Sequence, residues 1–121
     1  MGKDETVVVL DRVTFDDFAG LFDAGELRDV IAQWHADSAK ALDAIAAAHA
    51  AGDNGTIGEL AHRAAGGGLA IGATALARAC ERLRASAESG GPVTGDEIAA
   101  VRAAVAATHA ALTDATAGRR Q

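Results

Sequence analysis

The chain has 121 residues, the size of one ordinary domain with a single core, and a formal net charge of -6. The excess of acidic residues argues against nucleic acid or an anionic membrane surface as the main partner. The apolar content is mostly alanine, with three Phe, one Trp and no Tyr, and alanine favours helices over strands. The single cysteine, Cys80, cannot form an internal disulfide or build a thiolate metal site alone.

The expected location is the cytoplasm. No apolar run approaches the ~20 residues of a membrane-spanning helix. The N-terminal residues lack the pattern of a signal peptide, and a lone cysteine fits a reducing compartment. We therefore expect a cytoplasmic protein with no membrane partner.

The first half of the chain predicts a short helix and then a long one. The short helix follows Asp11 or Thr14. It places its large apolar residues on one side, namely Phe15, Phe18, Leu21 and Phe22. The long helix runs roughly over residues 26–50, with one apolar stripe at three- and four-residue steps around Trp34. Gly52 is placed to end it.

A third helix begins shortly after Gly52. Thr56 and Glu59 have the spacing of a capping box, which starts the helix just after Thr56. Asp53 is the alternative cap and would start the helix earlier. In either case the helix continues to about Leu69.

Two more helices follow. Gly72 opens the fourth, which carries one apolar stripe. That stripe comprises Ala73, Leu76, Ala77, Cys80, Leu83 and Ala87. The Gly-Gly-Pro sequence at 90–92 ends it, and Thr94 and Glu97 form a second capping-box pattern before the last helix.

Four main helices joined by short turns predict antiparallel neighbours. The expected fold is therefore all-α, an antiparallel up-down four-helix bundle with a short additional N-terminal helix. We expect one domain over residues 1–121, with 1–8 and 118–121 frayed. A monomer is the simplest oligomeric state.

Four histidines are candidates for a chemical role, and helix geometry separates them. On a wheel of ~100° per residue, His62 lies roughly 150° from the centre of the buried stripe of the third helix. That stripe comprises Ile57, Leu60, Ala61, Ala64 and Ile71. His109 falls on the buried face of its helix, His49 at a stripe edge and His35 on a flank. Packing or plain surface roles are favoured for those three.

The surroundings of His62 favour contact with a partner. Its same-face neighbours on the wheel are Gly58, Ala65, Gly66 and Leu69. Three of these have almost no side chain and the fourth is apolar, so a partner can approach the imidazole closely. Glu59 and Arg63 lie one step around the helix and are spaced to pair with each other. We predict partner docking at Gly58, Glu59, Ala65, Gly66 and Leu69.

The segment from Ala61 to Ala73, with the residues that follow it, resembles the phosphorylation motif of histidine-containing phosphotransfer (HPt) domains of bacterial two-component phosphorelays. That motif reads approximately A-H-x-L-K-G-S-[SA]-x-x-[LI]-G-A-x-x-L-x-x-x-C-x-x-L. The matching positions, in register and without gaps, are Ala61, His62, Gly66, Ile71, Gly72, Ala73, Leu76, Cys80 and Leu83. The order of helices upstream matches as well, so the resemblance covers nearly the whole chain.

The resemblance implies a phosphorelay protein in which His62 accepts a phosphoryl group from one receiver-domain aspartate and passes it to another. The partners would be response-regulator receiver domains and a hybrid histidine kinase. Such a phosphocarrier has no kinase activity of its own and binds no cofactor, because the required Mg²⁺ is held by the receiver.

The chain departs from the motif at several positions. Ala65 replaces the lysine, Gly67 the serine and Ala64 the leucine. The lysine would stabilise charge on the transferring phosphoryl oxygens, so another cation is needed. We predict that Arg63, or less favourably Arg78, supplies it.

The same residues allow other readings. In one, the chain is an HPt-like module that docks receivers but transfers phosphate poorly because Ala65 replaces the lysine. In another, Gly66-Gly67-Gly68 only ends the third helix or lets it pack closely against a neighbour. A nucleotide site at those glycines is disfavoured, because no strand precedes them and no phosphate-loop motif is present. Cys80 is expected to be a small buried hydrophobe.

Overall fold

A computed structural model describes residues 8–119 and shows five α-helices, with no strand among those residues. The helices are α1 (Arg12–Ala19), α2 (Ala24–Ala50), α3 (Asn54–Ala70), α4 (Thr74–Glu88) and α5 (Gly95–Ala117). Of the segments predicted to be frayed, 1–8 and 118–121, residues 1–7 and 120–121 lie outside the described residues, and residues 118–119 follow the end of α5. The all-α fold with a short additional N-terminal helix is confirmed. No helix within 8–119 is long and apolar enough to cross a membrane.

The four long helices form a ring in which α2 packs on α3, α3 on α4, α4 on α5, and α5 on α2. Short connections at 51–53, 71–73 and 89–94 join consecutive helices, so chain neighbours run antiparallel. The contact between α3 and α4 is the most extensive of the four. This pair of helices determines where the candidate site lies.

Polar side chains set the starts of the helices. The predicted capping box of Thr94 and Glu97 is present at the start of α5. For α3 the earlier of the two candidate caps is used. Asp53 accepts hydrogen bonds from the amide of Thr56 at 3.1 Å and from its hydroxyl at 2.6 Å. The box between Thr56 and Glu59 is therefore not the start of α3, and the bonds from Thr56 lower the pKa of Asp53.

Gly72 attaches α1 to the turn between α3 and α4. Its φ is +86°, in the left-handed region that strains residues with a Cβ. Its carbonyl oxygen accepts the amide of Asp11, the N-cap of α1, at 2.7 Å. A Cβ at position 72 would lie 2.7 Å from the Asp11 carbonyl oxygen. Glycine at this position therefore allows α1 to close one end of the bundle.

The core lies between the four long helices and extends to α1. Its largest fully buried side chains include Phe15, Leu27, Ile45, Ile57, Leu76, Leu83 and Leu112. Two expectations from the sequence are corrected. Leu21 is 75% exposed because α1 ends at Ala19 and Leu21 lies in the following turn. His109 is only half-buried, and Thr108 occupies the buried face of α5 instead.

Candidate functional site

His62 lies in the middle of α3, and its side chain is 67% exposed. The helix is anchored beneath it by Ile57 and Ala61, both fully buried. The imidazole is therefore carried by a packed helix and is accessible to a partner. A regular element of this kind positions a reactive group more precisely than a loop does.

The buried face of α3 is rotated relative to the sequence-based wheel. It consists of Ile57, Gly58, Ala61, Ala65 and Gly68, whereas Leu60 and Ala64 are only partly buried. His62 consequently lies about 90° from the centre of the buried face, on the flank beside α4. The wheel placed it almost opposite the core because it gave weight to Leu60 and none to the glycines.

This rotation corrects the expected exposure of two predicted docking residues. Ala65 is only 1% exposed, and Gly58 is also buried. A Cβ on Gly58 would lie 3.8 Å from the Cβ of Ala87 in α4. Both residues are small because α3 and α4 approach closely here. They lie behind the exposed surface.

The other three predicted docking residues are on the surface. Glu59 and Gly66 are exposed, and Leu69 is 57% exposed although it is apolar. Nothing lies within 4 Å of a Cβ placed on Gly66. The exposed part of α3 around His62 thus offers little steric hindrance to an incoming surface. The structure leaves the docking role itself as a prediction.

Glu81 of α4 faces the imidazole of His62. Its Oε2 lies 3.4 Å from Nδ1 of His62. A neutral imidazole that donates from Nδ1–H to this carboxylate has its lone pair on Nε2. Within residues 8–119, Nε2 has no hydrogen-bond partner. The geometry therefore favours the tautomer in which Nε2 carries the free lone pair.

Arg84 holds Glu81 in this position. Its Nη1 lies 2.9 Å from Oε1 of Glu81, and its Nε lies 3.1 Å from Oε2 of Glu88. The hydrogen bond from Arg84 is the main cause that lowers the pKa of Glu81, and the bond from His62 adds to it. A single carboxylate thus joins the guanidinium to the imidazole.

We call the open cavity beside His62 the α3–α4 cleft; it has a volume of ≈ 300 Å³. Its lining includes His62, Gly58 and three charged side chains, those of Glu59, Arg84 and Glu88. Arg84 is the only cationic side chain in this lining.

Arg63 lies on the other side of α3. It lines a separate cavity of ≈ 480 Å³, the α2–α3 groove, together with Trp34, Lys40 and Leu60. Arg78, the second candidate cation, is exposed and lines neither cavity. The predicted roles of Arg63 and Arg78 in charge stabilisation stay predictions.

The other three histidines have packing partners. The rings of His35 and His109 stack with centroids 3.8 Å apart. Burial, followed by the proximity of His35, lowers the pKa of His109. A ring nitrogen of His49 lies 2.8 Å from the carbonyl oxygen of Val93. Cys80 is fully buried, which raises the pKa of its thiol to about 11 and makes it a small core residue, as expected.

Sequence reasoning missed Glu81 and Arg84. The stripe of Ala77, Cys80 and Leu83 was correctly assigned to the buried face of α4. Residues 81 and 84 flank that stripe, so the pattern places them at an edge of α4. Whether this edge of α4 lies next to His62 depends on the rotation and register of α3 against α4, which the apolar pattern does not give.

An all-α bundle that presents one accessible histidine on a packed helix has the architecture of a histidine phosphotransfer domain. A sequence profile of the family described as Hpt domain matches residues 29–111. The chain belongs to this family, whose members work with receiver domains and kinases in two-component phosphorelays.

Comparison with solved structures agrees on the fold. The chain is similar to the crystal structure of histidine-containing phosphotransfer protein B (HptB) from Pseudomonas aeruginosa PAO1. The TM-score is 0.82 at 22% sequence identity, over 95% of this chain and 100% of that chain. No curated protein matches the sequence.

Proposed function

We propose that the chain relays a phosphoryl group through His62 between the aspartates of receiver domains, and that a hybrid histidine kinase is its upstream partner. Family membership supports the general role. The assignment to His62 rests on one observation, an accessible imidazole whose Nδ1 faces Glu81 and whose Nε2 is unpartnered within the described residues.

The nucleophile of the reaction is the imidazole of His62. The Nε2 lone pair attacks the phosphorus of an aspartyl phosphate in line with the leaving carboxylate. The N–P bond forms as the P–O bond breaks, and the aspartate leaves with the electron pair. Nδ1 keeps its proton, so the ring becomes an imidazolium whose positive charge faces Glu81. Attack by the next aspartate reverses these steps.

The metal ion comes with the partner, and the docking surface belongs to this chain. The receiver carries the Mg²⁺ that the transfer requires, and this chain contributes no cofactor. Glu59, Gly66 and Leu69 form the docking surface around His62, and Gly58 and Ala65 allow the close packing of α3 beneath it.

A second candidate is a module that docks receivers but transfers phosphate poorly. The observation that favours it is Ala65, a buried methyl group at the position where the HPt motif has a lysine. Under this reading His62 and the docking surface are retained, but the transition state lacks a stabilising cation.

Incubation with a radiolabelled phosphorylated receiver distinguishes the two candidates. We expect label on the wild type and on the control His35→Gln, and none on His62→Gln. Label on His62→Gln would refute the assignment. Binding of the receiver without label on the wild type would favour the docking module.

A further inference from the structure

We propose that Arg84, reaching from α4, supplies the positive charge that the transferring phosphoryl group needs, in place of the lysine that position 65 lacks. This inference rests on the proposed function. It differs from the sequence-based prediction, which assigned the charge to Arg63 or Arg78.

The environment of position 65 explains why the cation comes from elsewhere. Ala65 is 1% exposed and lies on the buried face of α3. Position 65 therefore places no cationic side chain near His62. A cation that serves the imidazole must therefore come from a neighbouring element or from the partner.

Arg84 is the side chain best placed to do so. It lines the α3–α4 cleft with His62, and its guanidinium shares the carboxylate of Glu81 with the imidazole. The Arg84 side chain is 36% exposed, so its charged end is accessible from the cleft. Arginine can donate two parallel hydrogen bonds to phosphoryl oxygens, which suits this role.

The charges around the cleft make such a cation necessary. The carboxylates of Glu59, Glu81 and Glu88 all lie at or beside the cleft. Each would repel the negative charge of a phosphoryl group on Nε2, and Arg84 is the only cation in the cleft lining to offset them. When the phosphoryl group arrives, the guanidinium transfers part of its hydrogen bonding from Glu81 or Glu88 to the phosphoryl oxygens.

The rival cations are less well placed. Arg63 lines the α2–α3 groove on the opposite flank of α3, and Arg78 is not part of the cleft lining. Arg82 is exposed on α4 and lines neither cavity, so it serves as a matched control.

The test is the single-turnover rate constant for transfer from a phosphorylated receiver at saturating concentration, with helicity checked by circular dichroism. We expect Arg84→Gln to lower this constant by about tenfold to a hundredfold. Arg84→Lys should recover part of the loss, and Arg82→Gln should match the wild type. A lowered rate constant in Arg63→Gln, together with an unchanged rate constant in Arg84→Gln, would overturn the proposal.

A double variant separates contact with the phosphoryl group from simple neutralisation of Glu81. In Glu81→Gln/Arg84→Gln both charges are removed and the amide can still accept the Nδ1–H bond. We expect the double variant to remain slow. A return to the wild-type rate would overturn the proposal. Absence of label on the wild type would overturn the proposed function together with this inference, whereas label at an unchanged rate in Arg84→Gln overturns this inference alone.

Discussion

The two flanks of α3 differ in chemistry, although His62 on one flank and Arg63 on the other are adjacent in sequence. His62 lines the α3–α4 cleft with Arg84 and Glu88, whereas Arg63 lines the α2–α3 groove with Trp34 and Lys40. Consecutive residues on a helix are separated by about 100°, which is enough to place them in different cavities. Proximity in sequence therefore did not identify the groups that share a site with the histidine.

The packing around α3 also differs between the two flanks. The α4 side of α3 is built from Gly58, Ala61, Ala65 and Gly68, which bring the helices close together. On the inner side toward α2, Ala64 borders a small apolar cavity that also involves Leu42, Ile45 and Val101. Ala65 is buried and lines neither the α3–α4 cleft nor the small cavity, whereas Ala64 borders both the small cavity and the α2–α3 groove. Substitutions that enlarge neighbouring alanines should therefore have opposite effects.

The largest effect is expected from Ala65→Leu on the packed flank. The added atoms have no space between α3 and α4, so we expect a loss of about 1–3 kcal/mol in the free energy of unfolding. Urea denaturation followed by circular dichroism measures it. A variant as stable as the wild type would show that α3 and α4 are less tightly packed than described.

A smaller effect of opposite sign is expected from Ala64→Leu, which introduces the leucine of the HPt motif. Its side chain can occupy the small cavity and the adjoining edge of the α2–α3 groove. We expect a gain of about 0.5–2 kcal/mol, measured in the same denaturation experiment. Destabilisation equal to that of Ala65→Leu would remove the distinction between the two flanks.

Much of the fold follows from local sequence signals. The capping box of Thr94 and Glu97 and the end of α2 just before Gly52, whose φ is +70°, each depend on a few neighbouring residues, and the sequence identified both positions. The sequence leaves two starts open for α3, because Asp53 and Thr56 are both good caps; the structure shows that Asp53 is used.

The site was predictable only in part. His62 was identified as the accessible histidine, because the helix period alone separates it from the core. Glu81 and Arg84 were missed, because their proximity to His62 depends on a buried face built from glycine and alanine. Hydrophobicity gives glycine little weight, so the rotation of α3 and its register against α4 do not follow from the periodic pattern.

The most direct test is to determine which nitrogen of which histidine carries the phosphoryl group. Long-range ¹H–¹⁵N and ³¹P NMR on the ¹⁵N-labelled protein, phosphorylated by a receiver, identifies that atom. We expect a phosphorus–nitrogen bond at Nε2 of His62, with Nδ1 still protonated toward Glu81. A phosphoryl group on Nδ1 of His62, or on any other histidine, would contradict the account.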